Sequence, residues 1–346
     1  MKLNQIFCGS PASLTEILDA RSRRAGKQKI LLNTPGARCL ISFSLNIPGE
    51  IKCFPMAIRA FEKGLREIRA AVSGHDLLSF EESRENTGPE AFILLAADAP
   101  EIKRKMASIE ENHGLGRLFD IDVLGPDSVP LSRSVLGLPP RSCLICGENA
   151  KVCARNRTHS MELVRWRTAQ ILNDYFKEQS ADQAAAAAVR ALLYEVSATP
   201  KPGLVDRQNS GSHSDMDFST FVDSSVSLAG SFQAMFRIGW DGAALPRPML
   251  FERLRFAGQK AEGAMLRATG GVNTHKGAIF SMGILCGALG RLERQDWADA
   301  DRVLAQCAAM TKGLTAGDFV GLTPETARTA GQKLYLRYGI TGVRGQ

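Results

Sequence analysis

The sequence predicts two domains of different class: an α+β domain, with a mixed or antiparallel sheet and helices on one face, followed by an all-α domain. Strand-like and helix-like segments alternate through about the first 160 residues, whereas the rest of the chain keeps a helical periodicity without a convincing strand. A length of 346 residues suits two domains of ordinary size. We place them at residues 1–165 and 166–346, with the boundary in or next to a helix over 160–182.

The N-terminal domain is predicted to begin with a short helix. Ser13 and Glu16 form the S-x-x-E pattern of a capping box, and the helix that follows should end near Arg24. The next segments are identified from alternating or apolar strand patterns, helical periodicity and turn residues. They are, in order, strands over 28–35 and 37–49, a helix over 57–72, a strand over 91–98, a helix opening at Pro100, and two strands joined by a turn over 116–133.

The C-terminal domain is predicted from four segments with helical periodicity, over 161–179, 181–196, 251–269 and 276–295. Within the last of these, residues 277–290 form the longest apolar run of the chain, 14 residues between two cations. Such a run is too short to span a bilayer comfortably, so we expect a buried helix and no membrane association.

Composition limits the function classes. The chain has 43 Lys and Arg against 36 Asp and Glu, a net charge of +7, and no basic tail concentrates this excess. Such a spread suits polyanionic small molecules or an acidic protein partner better than nucleic acid. Eight cysteines without a secretion signal indicate a reducing compartment, so we expect a cytoplasmic protein.

Two aspartates interrupt the strand pattern of "GRLFDIDVLG", residues 116–125. Residues two apart on a strand face the same way, which places Asp120 and Asp122 side by side. Two such carboxylates can share a Mg²⁺ ion that also binds substrate phosphates, although a solvated strand face explains the same pattern. The arginines on or beside the same hairpin favour the first interpretation, because guanidinium forks suit phosphate oxygens. They are Arg117, Arg133 and Arg141.

A second cluster of candidate ligands lies in "RSCLICGENAKVCARNRTHS", residues 141–160. Cys143, Cys146, Cys153 and His159 form a C-x2-C-x6-C-x5-H pattern that could close a tetrahedral structural zinc site. The alternative is a set of buried thiols beside a phosphate-binding "ARNRTH" loop.

Residues 36–160 resemble the apo-citrate lyase phosphoribosyl-dephospho-CoA transferase family (CitX) through "GRLFDIDVL", "LSRSVLGLPPRSCLIC" and "VCARNRTH". The resemblance implies a nucleotidyltransferase that moves a triphosphoribosyl-dephospho-CoA group onto a serine of the citrate lyase acyl carrier protein, the γ subunit, and releases pyrophosphate. Asp120 and Asp122 would then hold the metal, and the three arginines would steady the triphosphate.

Two polar loops interrupt the helical half. The first, residues 198–218, is hard to explain between apolar helices unless it lines a site, although an Asx-rich loop that caps a helix near Met216 is the alternative. It offers cations for phosphates and groups that can ligate a metal or transfer protons. The cations are Lys201 and Arg207, and the others are Asp206, His213 and Asp215.

The second loop, "ATGGVNTHKG" at 268–277, places Asn273, Thr274 and Lys276 at the start of the predicted buried helix. A helix N-terminus with a lysine is a natural phosphate cradle, although a glycine turn before a helix is common.

With "AEGAMLRA" at 261–268, these loops resemble the triphosphoribosyl-dephospho-CoA synthase family (CitG) over residues 185–345. The resemblance implies that a ribose hydroxyl of 3′-dephospho-CoA attacks the anomeric carbon of ATP and adenine leaves. This displacement needs a base, an acid and cations for the triphosphate. The candidates for acid, base or metal ligand are Asp206, His213, Asp215 and Glu262, and those for phosphate are Lys201, Arg207, Asn273 and Lys276.

The chain stops at "GITGVRGQ", where this synthase family continues, and Gln346 stands where a glutamate is usual. We therefore expect a truncated fusion with an impaired synthase half. Alternatively, only the transferase is active and the helical half is a remnant or docking module. A non-enzymatic nucleic-acid binder is a third interpretation, but residues 143–159 contain no Phe, Tyr or Trp to stack on bases.

Overall fold

The computed structural model describes residues 6–312, 321–328 and 330–339. The C-terminal residues on which the expected truncation rests, including Gln346, lie outside these ranges. Contacts between Cα atoms divide the chain after Phe176 into two compact units, which we call the sheet unit and the helical unit. The predicted boundary at 165/166 falls in the same helix as this division.

From residue 6 onwards, the sheet unit contains four strands and four α-helices before the long helix at the division. Its elements are α1 (Leu14–Leu32), β1 (Cys39–Leu45), α2 (Pro55–Ala71), β2 (Leu77–Glu85), β3 (Gly88–Leu95), α3 (Ala99–Asn112), β4 (Phe119–Leu124) and α4 (Ala150–Asn156). The strands form one sheet in the order β2-β3-β1-β4, and every neighbouring pair is antiparallel. The predicted α+β class with an antiparallel sheet is confirmed.

One face of the sheet forms the main core of this unit. Ile41 and Phe43 of β1 point to it beside Ile121 and Val123 of β4, and each is at most 1 % exposed. Helices α2 and α3 pack against these strands, and the ring of Phe61 stacks on that of Phe43 with centroids 4.9 Å apart. These two helices provide the predicted helical layer on one face.

Helix α1 adds a helix on the opposite face, where Leu31 and Leu32 pack with Leu40, Leu94 and Leu124 of the sheet. Its start is as predicted, because Ser13 and Glu16 form both hydrogen bonds of a capping box.

The strand predicted over 28–35 is wrong, because α1 continues to Leu32. The apolar run Ile30–Leu32 is too short to reveal its period from sequence. In the structure Leu31 and Leu32 are buried while Ile30 is 72 % exposed, so only one side of the helix contacts the sheet. Burial of that side, rather than strand pairing, explains the run.

Two further differences concern the sheet edges. Strand β2 has mostly exposed or half-buried residues and pairs only with β3, so its charged sequence gave no strand signal. The second strand predicted within 116–133 is reduced to a single bridge between Leu124 and Pro130. Proline has no backbone N–H to extend a ladder.

The helical unit begins within α5 (Met161–Ser197). Among its described residues, the further α-helices are α6 (Phe218–Ser227), α7 (Ala229–Asp241), α8 (Arg247–Ala268), α9 (Lys276–Arg291), α10 (Ala300–Thr311) and α11 (Ala330–Tyr338). Among its described residues the structure contains no strand, which confirms the predicted all-α class.

Helix α9 carries the long apolar run and packs closely on α7. A Cβ added to Gly239 of α7 would lie 2.1 Å from the carbonyl oxygen of Gly287, so the two backbones meet without side chains between them. The run is therefore a buried helix, as predicted. In the described part of the chain, no helix is both long and apolar enough to cross a membrane.

Candidate active sites in the two units

The aspartates of β4 lie side by side on its exposed face. Asp120 and Asp122 are exposed, while the alternate residues Phe119, Ile121 and Val123 are buried in the core. This is the arrangement that the alternation in the sequence predicts. Among the described residues, neither carboxylate accepts a hydrogen bond or forms an ion pair.

The register of the sheet brings further polar residues to the same face. Ser42 of β1 lies opposite Asp122, and Ser44 lies opposite Asp120. On the other side of β1, Ser44 also lies opposite Glu90 of β3. Directly opposed residues have Cβ atoms about 5 Å apart, so three strands contribute to one polar surface. We call these five residues the carboxylate face.

Helix α1 contributes polar side chains to the carboxylate face. Arg24 forms an ion pair with Glu90 at 2.7 Å between Nε and Oε2, and both side chains are partly buried. One turn further along, the Gln28 amide donates to the Ser42 hydroxyl at 3.0 Å. Because α1 was expected to end near Arg24, the sequence analysis did not connect these residues with the aspartates.

Electrostatics make this face a fitting place for a cation. Crowding by protein atoms and the negative charge of Asp120 raise the pKa of Asp122, and the positive charges of Lys103 and Arg24 only partly oppose this. A divalent cation between the two carboxylates would relieve their repulsion, and oxygen ligands of this kind suit Mg²⁺. The carboxylate oxygens of Asp120 and Asp122 are therefore ligands of the kind that the predicted metal prefers.

Helix α3 closes the outer edge of β4 with charged side chains. Lys103 donates to the carbonyl oxygen of Ile121 at 2.9 Å, and Glu110 accepts from the N–H of the same residue at 3.3 Å. Lys103 is 6 % exposed and Glu110 only 4 %. These contacts satisfy the free backbone groups of an edge strand and fix the strand that carries the aspartates.

The three arginines predicted to bind phosphate form ion pairs or hydrogen bonds with other residues of the protein. Arg133 pairs with Glu110 at 2.9 Å and Glu111 at 2.5 Å. Arg141 lies 3.4 Å from Glu110 and donates to carbonyl oxygens just before β4 and at its first residue, those of Gly116, Arg117 and Phe119. Arg117 donates to the carbonyl oxygen of Ser142. These contacts favour a role for Arg133 and Arg141 in holding β4 rather than in binding substrate.

The cysteine and histidine residues of the sheet unit are also brought together. The candidate ligand atoms of Cys143, Cys146, Cys153 and His159 all lie within 4.8 Å of one another.

In the helical unit, Asp206 organises the polar loop between α5 and α6. Its carboxylate accepts from the Thr199 hydroxyl at 2.7 Å and from the backbone N–H groups of Lys201, Gln208 and Asn209 at 2.8–3.1 Å. The Thr199 hydroxyl and these backbone donors lower the pKa of Asp206 to about 2. A buried carboxylate with four donors is a weak base, so its contacts favour a structural role in the loop.

The other candidates on this loop are more accessible. His213 and Asp215 are exposed, with 3.8 Å between Nδ1 and Oδ1, and Arg207 is exposed as well. Lys201 pairs with Glu195 of α5 at 2.8 Å. The predicted loop function thus rests on His213, Asp215 and Arg207, which solvent or a ligand can reach.

The second loop and α8 meet at a pocket of about 260 Å³ within the helical unit. Lys276 and Glu262 both line it and form an ion pair at 3.0 Å, so the structure unites two predicted site residues from separate motifs. Asn273 accepts from the backbone N–H of Lys276, the first residue of α9, at 3.2 Å. The pocket also has an apolar wall that includes Phe251 and Phe280.

The sequence analysis passed over His275, which lies between two of its candidates. His275 is 4 % exposed, and its Nδ1 lies 2.8 Å from the hydroxyl of Ser224, which in turn accepts from Thr274 at 2.7 Å. Its Nε2 is buried without a hydrogen-bond partner among the described residues, and burial lowers its pKa. The only signal in the sequence is its position in the "NTHKG" string.

Comparison with known proteins covers both units. Residues 12–175 match the model of the apo-citrate lyase phosphoribosyl-dephospho-CoA transferase family (CitX), and residues 181–346 match that of ATP:dephospho-CoA triphosphoribosyl transferase (CitG). The two matches define the class of the chain as a tandem transferase of citrate lyase prosthetic-group biosynthesis.

Two relatives align with almost the whole chain, and a third aligns with part of it. Protein CitXG of Haemophilus influenzae is 38 % identical over 98 % of this chain and 74 % of its own length, and Protein CitXG of Leuconostoc mesenteroides subsp. cremoris is 35 % identical over 98 % and 75 %. A 2-(5″-triphosphoribosyl)-3′-dephosphocoenzyme-A synthase of Haemophilus ducreyi is 38 % identical over 58 % of this chain and 66 % of its own length. The chain belongs to the CitXG family, in which a CitX domain precedes a CitG domain.

Proposed function

We propose that the helical unit forms 2′-(5″-triphosphoribosyl)-3′-dephospho-CoA from ATP and 3′-dephospho-CoA, and that the sheet unit transfers it to a serine of the acyl carrier protein, the γ subunit of citrate lyase. The observation that carries this proposal is the tandem match, since the product of the CitG reaction is the donor for the CitX reaction.

The transfer step is assigned to the carboxylate face. The serine oxygen forms a bond to the phosphorus nearest the ribose, the bond from that phosphorus to pyrophosphate breaks, and the serine proton passes to a base. Mg²⁺ held by Asp120 and Asp122 would supply positive charge to the phosphates. Arg24, which Glu90 holds at 2.7 Å, places a guanidinium on the same face and would orient the triphosphate.

Arg133 and Arg141 are positioning residues in this proposal. Their contacts with Glu110 and with backbone carbonyl groups keep β4 in place, and β4 keeps the aspartates side by side. Arg117, whose guanidinium reaches only a carbonyl group in the contacts above, stays a candidate for phosphate binding.

The synthase step is assigned to the pocket of Glu262 and Lys276. The ribose hydroxyl oxygen of dephospho-CoA forms a bond to the anomeric carbon of ATP, and the bond from that carbon to adenine breaks. Glu262 would accept the hydroxyl proton, the departing adenine would take up a proton from a general acid, and Lys276, at the positive end of α9, would bind phosphate. Arg207, His213 and Asp215, the exposed residues of the other polar loop, stay candidates for binding phosphate and for the acid that protonates adenine.

Mass spectrometry of the apo-carrier protein tests the transfer step. With preformed donor and Mg²⁺, the chain should add one prosthetic group per carrier protein, and Asp120→Asn should slow this by about 100-fold. Asp76→Asn, an exposed aspartate before β2, is the matched control. Undiminished transfer by Asp120→Asn would remove the aspartate from the site.

Adenine release from ATP and dephospho-CoA tests the synthase step separately. Release by the purified chain supports two activities. Transfer from preformed donor without any adenine release would support the alternative, in which the sheet unit alone is active.

A further inference from the structure

The sheet unit contains a second cluster of metal-binding groups that the proposed transfer and synthase steps do not use. It lies in residues 141–160, which we call the cysteine loop. Three thiols and one imidazole converge there, from Cys143, Cys146, Cys153 and His159, and their ligand atoms lie within 4.8 Å of one another. Ligands on a tetrahedron around zinc stand about 3.3–3.8 Å apart. The sulfur atoms of Cys146 and Cys153 are 3.6 Å apart, so little movement is needed.

The backbone of the cysteine loop is shaped to stabilise a thiolate. Cys143 begins a tight turn that ends at Gly147, whose φ of 80° suits glycine. The backbone N–H of Ile145, inside this turn, donates to the sulfur atom of Cys143 at 3.5 Å. Thiolates are the form that binds zinc.

The other two ligands, Cys153 and His159, lie on α4 and just after its end. Asn149 caps this helix through a hydrogen bond from Lys151, and Cys153 lies buried within it. Arg157, with a left-handed φ of 47°, ends the helix and turns the chain towards His159. The Nε2 atom of His159 is buried and has no hydrogen-bond partner among the described residues. Buried polar atoms normally have a partner, and a metal ion would supply one here.

Two alternatives account for less of this arrangement. A disulfide between Cys146 and Cys153 would need their sulfur atoms about 2.05 Å apart and would leave Cys143 and His159 unexplained. A set of merely buried thiols does not explain why an unpartnered imidazole nitrogen joins them.

The cysteine loop is attached to the start of β4. Arg141 accepts at its carbonyl oxygen from Ala150 at 2.9 Å, and its guanidinium donates to the carbonyl oxygen of Phe119, also at 2.9 Å. Arg117 reaches back to the carbonyl oxygen of Ser142. The loop and the strand before Asp120 are therefore fastened together by two arginines.

We propose that Cys143, Cys146, Cys153 and His159 bind one structural Zn²⁺ ion, and that this ion fixes the loop that holds β4 in position for transfer. All four positions of the tetrahedron are filled by protein, as in structural rather than catalytic zinc sites. The link to transfer rests on the function proposed above, whereas metal binding itself does not.

Metal analysis of the full chain, purified under reducing conditions, tests the site. We expect one zinc per chain in the wild type and in Cys8→Ser, an exposed cysteine outside the cluster, and a loss of zinc in Cys146→Ser and Cys153→Ser. His159→Cys should retain the metal, whereas His159→Ala should lose it. Replacement by Co²⁺ should give the absorption of a tetrahedral thiolate site in the wild type, a measurement that needs no variant to fold.

The outcomes separate this proposal from the proposed function. If wild-type chain reconstituted with Zn²⁺ or Co²⁺ binds no stoichiometric metal, or if Cys146 and Cys153 form a disulfide instead, the zinc site is refuted. Stoichiometric zinc in a chain that does not modify the carrier protein would contradict the transfer function and leave the site intact. Removal of zinc by a zinc-selective chelator, with Mg²⁺ kept in excess, should abolish transfer and spare adenine release. Equal loss of both activities would refute the specific link to β4.

Discussion

In the sheet unit the candidate metal ligands Asp120 and Asp122 stand on a strand, whereas in the helical unit Asp206, His213 and Asp215 stand on a loop between helices. Strand register places the aspartates beside Ser42 on the neighbouring strand. The loop instead arranges itself around one of its own candidates, Asp206, which four donors surround. The aspartates of the sheet unit are therefore accessible to a ligand, whereas Asp206 of the helical unit already has its hydrogen bonds within the protein.

This difference teaches how to weigh polar residues outside regular structure. On a strand, successive side chains point to opposite faces of the sheet, so the sequence predicts on which face a carboxylate lies. In a loop, backbone N–H groups without ladder partners compete for the same carboxylate. Accessible groups such as His213, and pairs that line a pocket such as Glu262 and Lys276, are then better candidates than a buried aspartate.

The sharpest test of the comparison is a crossed pair of variants. Glu262→Gln should slow adenine release by about 100-fold, because a neutral amide cannot accept the hydroxyl proton, and should leave transfer from preformed donor unchanged. Asp120→Asn should show the reverse pattern. Adenine release and carrier-protein mass are measured on the same preparations.

Glu293→Gln is the control for the helical variant, since Glu293 is an exposed glutamate of the same unit that does not line the pocket. If Glu262→Gln and Glu293→Gln release adenine at equal rates, the pocket is not the synthase site.

A second test concerns the charged support of β4. Glu110→Gln removes the charge that faces Arg133 and Arg141 and should lower the free energy of unfolding of the sheet unit by about 2 kcal/mol, less than for a fully buried pair because both arginines are partly exposed. The free energy of unfolding is measured by titration with urea, with hydrogen exchange of the β4 amides as the readout. Glu111→Gln neutralises a carboxylate that is 46 % exposed and should therefore cost less. Equal costs would show that burial of Glu110 does not matter.

The smallest expected effect is a pH dependence in the helical unit. The pKa of Asp206 is about 2 in the folded chain against an ordinary value of 3.8, so the ionised carboxylate contributes stability that is present above about pH 4 and lost as the pH falls through 2. Hydrogen exchange in residues 198–217 should therefore accelerate over this window in the wild type.

Asp206→Asn should exchange faster at neutral pH and change less between pH 4 and 2, whereas Asp215→Asn, an exposed residue of the same loop, should behave as the wild type. If Asp206→Asn showed the same pH dependence as the wild type, Asp206 would not be the residue that organises the loop.

The sequence by itself determined the classes of both domains, the pairing of Asp120 with Asp122, the capping box at Ser13 and the spacing of the four metal-binding groups in the cysteine loop. These features depend on residues near one another in the chain, and their periods or caps are visible locally. The same locality misled where the signal was short, because the apolar run Ile30–Leu32 suits a strand as well as a helix until its contacts are known.

Only the tertiary structure decided which charges face one another. Arg24 and Glu90 are far apart in sequence, as are Glu110 and Arg133, and no local pattern announces either pair. Likewise, Asp206 looked available until its loop folded around it, and His275 gained interest only from its buried, unpartnered nitrogen. Charge pairing and burial act through space, so they become known when the chain has brought distant residues together.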